Sequence, residues 1–339
     1  KNPQAGAALA VGGQAAVIQQ QLNFSRDMER EADRIGYGVM TQAGFAGQGF
    51  VSMFEKLQAA SRINDNSDWP YLRSHPLTTQ RIADMQQRQQ SLARQAPPVD
   101  LEAALVAGRA RALSRPGVDV LRAWAGEPAQ PGFASRPLAQ RAGALYAAAL
   151  AQAQLRDLPK AQALATQLAL AVTGDGPAAQ QARLLQAELA LQAGEPAQVL
   201  KLLSGAPRPA SADVQGQAGR AALLLRAQAL VGTGQATEAA GALQTWVSDH
   251  PRDAGAWQAL AQAHGAAGRT LRALRAEGEV PMAHMDYAGA VGRWRAAQDF
   301  SRRQPGDNAD LIEASIVDTR LRAAQAALKQ QQLDEMKRR

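Results

Sequence analysis

At 339 residues the chain is long enough for two or three domains, each with its own buried core. It contains no cysteine, which excludes disulfides, thiolate nucleophiles and cysteine-based metal sites. Its formal charge of +7 comes mostly from dispersed arginines without interleaved stacking aromatics, so no nucleic-acid surface is read.

Only 4% of residues are aromatic, while Ala, Leu, Gln and Arg dominate, a mixture that favours helices packed closely through small side chains. The longest apolar stretch, 5–18, is broken by Gly12, Gly13 and Gln14 and is too short to cross a bilayer, so no transmembrane span is expected. Positions 1–13 carry no readable signal peptide, and the chain begins at Lys1 without an initiator Met. The expectation is a piece of a longer protein.

The first predicted helix opens with Ser25 as N-cap and Asp27 and Glu29 in its first turn, and it ends near Ala43-Gly44. Met28, Ala32, Ile35 and Val39 recur at helical spacing and predict its buried stripe. A second helix carries Phe50, Met53, Phe54 and Leu57. After a loop over 63–74, a third opens at His75-Pro76 with Leu77, Ile82, Met85 and Leu92 inward. The Ala-Pro-Pro run within 95–99 removes backbone donors and marks a domain boundary.

Beyond that boundary the sequence becomes an array. Gly234 and Gly268 lie 34 residues apart, as do Ala239 and Ala273. Trp257, Leu260, Ala261 and His264 take the places of the tetratricopeptide signature, with Pro251 closing the preceding unit. Weaker echoes fall around Arg156-Asp157 with Ala161, around Gly194, and around Gly292 with Ala297. An irregular Ala-rich bundle is the competing reading, and both give an all-α domain. His264 is expected in the core and His250 in solvent.

The chemistry lies in the first region. Glu29 and Asp33 are four residues apart, so both carboxylates project from one helix face and need a cation. That cation is either a metal ion at Glu29, with Asp33 orienting a histidine ligand, or simply Arg30 or Arg26 in surface pairs. His75 on its own reads as a loop histidine capping a helix, and Arg81 as a surface residue.

The string Ser25-Arg26-Asp27-Met28-Glu29-Arg30-Glu31-Ala32-Asp33-Arg34-Ile35-Gly36, with His75-Pro76-Leu77-Thr78-Thr79-Gln80-Arg81 following, resembles the BepA-type periplasmic zinc metallopeptidases of the HtpX-like gluzincin group. A tetratricopeptide domain after the peptidase domain is part of that resemblance. It implies an all-α chain with the C-terminal part of a peptidase domain over 1–95 and a helical solenoid over 99–330. It implies Glu29 as a Zn2+ ligand, Asp33 as the acid behind a histidine ligand, and His75 as a further ligand or a group facing the substrate carbonyl. Arg81 would point at the same site, where a cationic pair can stabilise an oxyanion.

The resemblance also implies a periplasmic endopeptidase acting on unfolded or stalled outer-membrane proteins and their assembly machinery. No nucleic-acid partner is expected, and any membrane association would be peripheral. No H-E-x-x-H occurs in these residues, so two zinc ligands and the general base of the family pattern are absent and this chain alone is expected to be inactive. A non-catalytic repeat scaffold is the alternative.

Overall fold

Alanine and leucine at helical spacing, punctuated by Gly and Pro, leave few β-branched runs from which a sheet could form. The computed structural model describes residues 20, 23–24, 27–61, 79–90, 100–204, 216–303 and 308–338. Every regular element among them is helical, and the chain is all-α. It divides into two compact units, Lys1–Val99 and Asp100–Arg339.

The first unit contains α1 (27–42), α2 (Gly47–Ser61) and α3 (Thr79–Gln90). Its core is small: Tyr37, Val51, Phe54, Ile82 and Met85 are buried, with Met40 and Phe50 packed against them. The aromatic rings meet edge to face, Tyr37 with Phe50 at 5.8 Å and Phe50 with Phe54 at 5.0 Å. Helix α1 stops where Gly44 takes a φ of 86° and the amides of Gly44 and Phe45 close back on the carbonyls of Thr41 and Met40.

The predicted apolar stripe of α1 is on the wrong side. Met28 is 56% exposed, Ile35 52% and Val39 62%, and Ala32 is exposed too. The inward face is instead Glu29, Asp33, Gly36, Tyr37 and Met40, because the cation that compensates Asp33 lies on that side. In α2, Phe54 is buried and Phe50 half-buried as expected, whereas Met53 and Leu57 face out. Ile82 and Met85 of α3 point inward. Leu77, Leu92, Ser25, Arg26, His75, Pro76 and the 95–99 run lie outside the described residues.

The second unit is a tetratricopeptide-like array: α4 (Leu101–Leu113), α5 (Val118–Gly126), α6 (Leu138–Gln154), α7 (Leu158–Ala171), α8 (Gly176–Gln192), α9 (Pro196–Leu203), α10 (Gly216–Gly232), α11 (Ala236–Asp249), α12 (Ala254–Ala266), α13 (Thr270–Ala283), α14 (Tyr287–Arg303) and α15 (Asn308–Arg338). From α6 onward each helix packs on the next, and α8, α10 and α12 also touch one another in sequence. That stacking of hairpins is what a repeat unit with one incomplete apolar face requires.

The turns share one construction. Arg156, Gly194, Gly234, Gly268 and Met285 all have positive φ, and at each the next amide bonds a carbonyl five residues back, as in Asp157 N to Gln152 O at 2.9 Å and Asp286 N to Pro281 O at 2.9 Å. Aspartates at 100, 157, 175, 253 and 286 then cap the helices that follow. The expected turn at Gly292 is absent. Gly292 lies inside α14, and the nearest described turn is Met285-Asp286.

Trp257, Leu260, Ala261 and His264 are buried as the repeat register requires. His250, expected in solvent, is half-buried and stacks on Trp246 at 3.9 Å. No helix among the described residues is long and apolar enough to cross a membrane.

Candidate active site

One helical turn separates Glu29 from Asp33, so α1 presents both carboxylates to the interior of the first unit. Two part-buried acids on one face repel each other and lose hydration unless a positive group joins them. Helix α3 supplies it. Arg81 Nε donates to Asp33 Oδ2 at 2.6 Å and Nη2 donates to Asp33 Oδ1 at 2.7 Å, a two-pronged contact that matches guanidinium to carboxylate geometry. Glu29 Oε2 lies 3.2 Å from Arg81 Nη2.

The side chains are sheltered: Asp33 is 7% exposed, Arg81 11% and Glu29 20%. Phe54 of α2 lies under the guanidinium, 5.1 Å from its ring centre. The hydrogen bonds to Asp33 raise the Arg81 pKa above the ordinary arginine value, and the Asp33 and Glu29 charges reinforce the effect.

Within the described residues the cation that meets the acid pair is Arg81. Arg30 turns to Asp27 at 3.2 Å, and Arg34 clasps Glu31 on the outer face. Arg81 escaped sequence reasoning as a partner because it is 48 residues away from Asp33. A signal was present: Arg81 shares the inward face of α3 with Met85 and Ile82, and an arginine on an apolar face requires a carboxylate.

Of the four residues read from the sequence, the structure brings Glu29, Asp33 and Arg81 together, and His75 lies outside the described residues. Among the described residues no three His, Asp or Glu side chains come close enough to hold a metal ion. Glu29 and Asp33 do not by themselves fit zinc, which needs at least three protein donors, and their charge is already met by a guanidinium.

Among its described residues the second unit offers two grooves. One of about 460 Å³ lies between α12 and α14 over the last turn of α13, lined by Gln258, Val280, Pro281, His284, Asp286 and Arg293. Another, of about 610 Å³, is bordered by Gln162, Thr166, Gln186, Gln198, Lys201 and Leu202 of α7, α8 and α9.

Comparison with known proteins agrees with the motif reading. Residues 2–89 match the family description of peptidase family M48. The putative beta-barrel assembly-enhancing protease of Vibrio cholerae serotype O1 is 34% identical over 172 residues, 49% of this chain and 34% of that protein. The beta-barrel assembly-enhancing protease of Escherichia coli K12 is 37% identical over 87 residues, 26% of this chain and 18% of that protein. The match thus spans about a third or less of the length of these relatives. A solved tetratricopeptide repeat protein from Parabacteroides merdae aligns with 88% of this chain and 99% of its own at 15% identity and a TM-score of 0.32. On the sequence matches, residues 2–89 are similar to peptidase family M48, and part of the chain is similar to beta-barrel assembly-enhancing proteases.

Proposed function

We propose that this chain is part of a periplasmic zinc-dependent endopeptidase acting in outer-membrane protein assembly and quality control, whose repeat array docks unfolded or stalled clients or the assembly machinery. The observation that carries the reading is the sheltered acid pair, Glu29 and Asp33, gathered on one helix face inside the segment that matches the M48 family.

In this reading Glu29 becomes a zinc ligand of the intact protein and Asp33 the acid that steadies its neighbours. The remaining donors come from outside the described residues, and His75 is assigned to the same site. The described residues hold and orient carboxylates and do not complete a metal centre, so they supply no step of peptide hydrolysis alone. The grooves over α13 and between α7 and α9 are the docking surfaces that the array provides.

The test compares the full-length gene product with this chain alone, measuring casein cleavage and bound zinc. The full-length protein is expected to bind zinc and cleave casein in a chelator-sensitive way, while this chain does neither. A zinc-free, inactive full-length protein would transfer the case to a non-catalytic repeat scaffold. Client capture that survives deletion of Asp100–Arg339 would remove the docking role.

A further inference from the structure

We infer that the groove over the last turn of α13 receives a lysine or arginine side chain carried on an extended segment of a partner polypeptide. The inference rests on the docking role given to the array above and deepens it, by naming the chemistry that this groove selects.

A proline inside a helix supplies the first observation. Pro281 stands within α13 and has no N–H, so the carbonyl of Glu277, four residues earlier, lacks its helical donor. Glu277, Val280, Pro281 and His284 follow one another at helical spacing and line the groove together, so that carbonyl opens onto the same face. The amides that close the end of the helix, those of His284, Met285 and Asp286, bond the carbonyls of Val280, Pro281 and Met282, and none reaches back to Glu277.

The sign of the charge is the second observation. The groove lies at the C-terminal end of α13, where the aligned peptide dipoles favour a cation. The carboxylates of Glu277 and Asp286 border it, and Asp286 also accepts from the Gly289 amide at 2.9 Å. Arg293 is the only lysine or arginine that lines it, and it meets Glu277 at a long 3.5 Å, with the two side chains 65% and 36% exposed. So open a pair gives up little when a second cation arrives. In a chain of net charge +7 the groove is a local reversal of sign. Val280 and Pro281 give the aliphatic stem of a basic side chain an apolar floor while its charged end meets the acceptors.

The experiment titrates this chain, by calorimetry, with blocked pentapeptides of the form acetyl-Ser-Gly-X-Gly-Ser-amide in which X is lysine, norleucine or glutamate. The lysine peptide is expected to bind about tenfold more tightly than the norleucine peptide, and the glutamate peptide more weakly than both. Pro281→Ala returns an N–H to the Glu277 carbonyl and suits the helix better, so it should hold or raise the Tm and still weaken the lysine peptide by about tenfold. Glu277→Gln should weaken it by a similar factor. Asp119→Asn, which removes an acid 97% exposed on α5, should leave it unchanged.

Equal affinity for lysine and norleucine would overturn the assignment, and a preference for glutamate would overturn it in favour of an anion on Arg293. Full affinity in Pro281→Ala would overturn it as well, and so would equal weakening by Asp119→Asn, which would mark an unspecific charge effect. Client capture by the full-length protein that still needed Asp100–Arg339 after such a result would leave the docking role standing, so the two failures are distinguishable.

Discussion

Gly108 and Gly143 bring the backbones of α4 and α6 into contact: a Cβ on Gly108 would lie 2.3 Å from the Gly143 carbonyl oxygen, and one on Gly143 would lie 2.8 Å from that of Ala104. Backbone carbonyls cannot rotate aside as a flexible side chain can. Gly108→Ala is therefore expected to pry the helices apart and cost about 2–3 kcal/mol by urea unfolding. Gly241, inside α11 with open space around its Cβ position, is the control. Gly241→Ala should stabilise by about 0.5–1 kcal/mol.

Arg156 occupies a turn whose equivalents in the array are Gly194, Gly234, Gly268 and Met285, and its φ of 65° crowds its own Cβ. Arg156→Gly keeps the turn hydrogen bonds, which involve only backbone, and relieves that crowding. It is expected to raise stability by about 0.5–1 kcal/mol. The reverse change at an equivalent turn, Gly234→Ala, should cost a similar amount. Thermal unfolding of the two variants side by side checks both signs.

These turns also show how much of the structure could be read from the sequence. The 34-residue register from Gly234 to Gly268 was legible because glycine at a helix end announces itself. Met285-Asp286 was missed because methionine gives no such signal, although Arg156-Asp157 has the same form, a left-handed residue followed by an aspartate cap. In α1 the spacing of Met28, Ile35 and Val39 marked an apolar face without saying what covers it. The acid pair was legible as a pair from its spacing, but its cation was not, because a contact across 48 residues leaves no periodic trace.

His264 is 4% exposed, and neither ring nitrogen has a hydrogen-bond partner. Burial, and then the positive charges of Arg272, Arg269 and Arg275, push its pKa down to about 4. In the unfolded chain the ring takes its proton near the ordinary value of 6.5. Between those values the unfolded state binds more protons. The stability of the array should thus be full above about pH 6.5 and fall by about 2–3 kcal/mol as the pH drops to about 4. His264→Phe should flatten that limb and strip away no hydrogen bond. Urea unfolding at a series of pH values for both proteins checks it, and an unchanged slope in the variant would remove His264 as the cause.

Asp253 produces a second limb at lower pH, with the opposite protonation chemistry. Its carboxylate accepts from Arg220 Nε and Nη2 at 2.7 Å each, from Trp246 Nε1 at 2.9 Å and from the Ala256 amide at 3.0 Å, closing α10 and α11 onto the start of α12. The Arg220 hydrogen bonds, followed by those of Trp246 and Ala256, outweigh burial and hold its pKa down to about 2, against an ordinary value of 3.8. The unfolded chain therefore protonates Asp253 first as the pH falls. Its contribution, about 2 kcal/mol, should be fully present above about pH 4 and be lost on the way down to about 2. Asp253→Asn should remove this limb and, at neutral pH, cost about 2–3 kcal/mol, since the amide weakens the cap and leaves Arg220 without its carboxylate. Arg220→Met in that background should add little further loss, because the two residues act as one unit. The double-mutant cycle at pH 7 and again at about pH 1.5, below the folded-state pKa, tests the assignment: a coupling energy that survives unchanged at the lower pH would show that the pair is held by packing and not by charge.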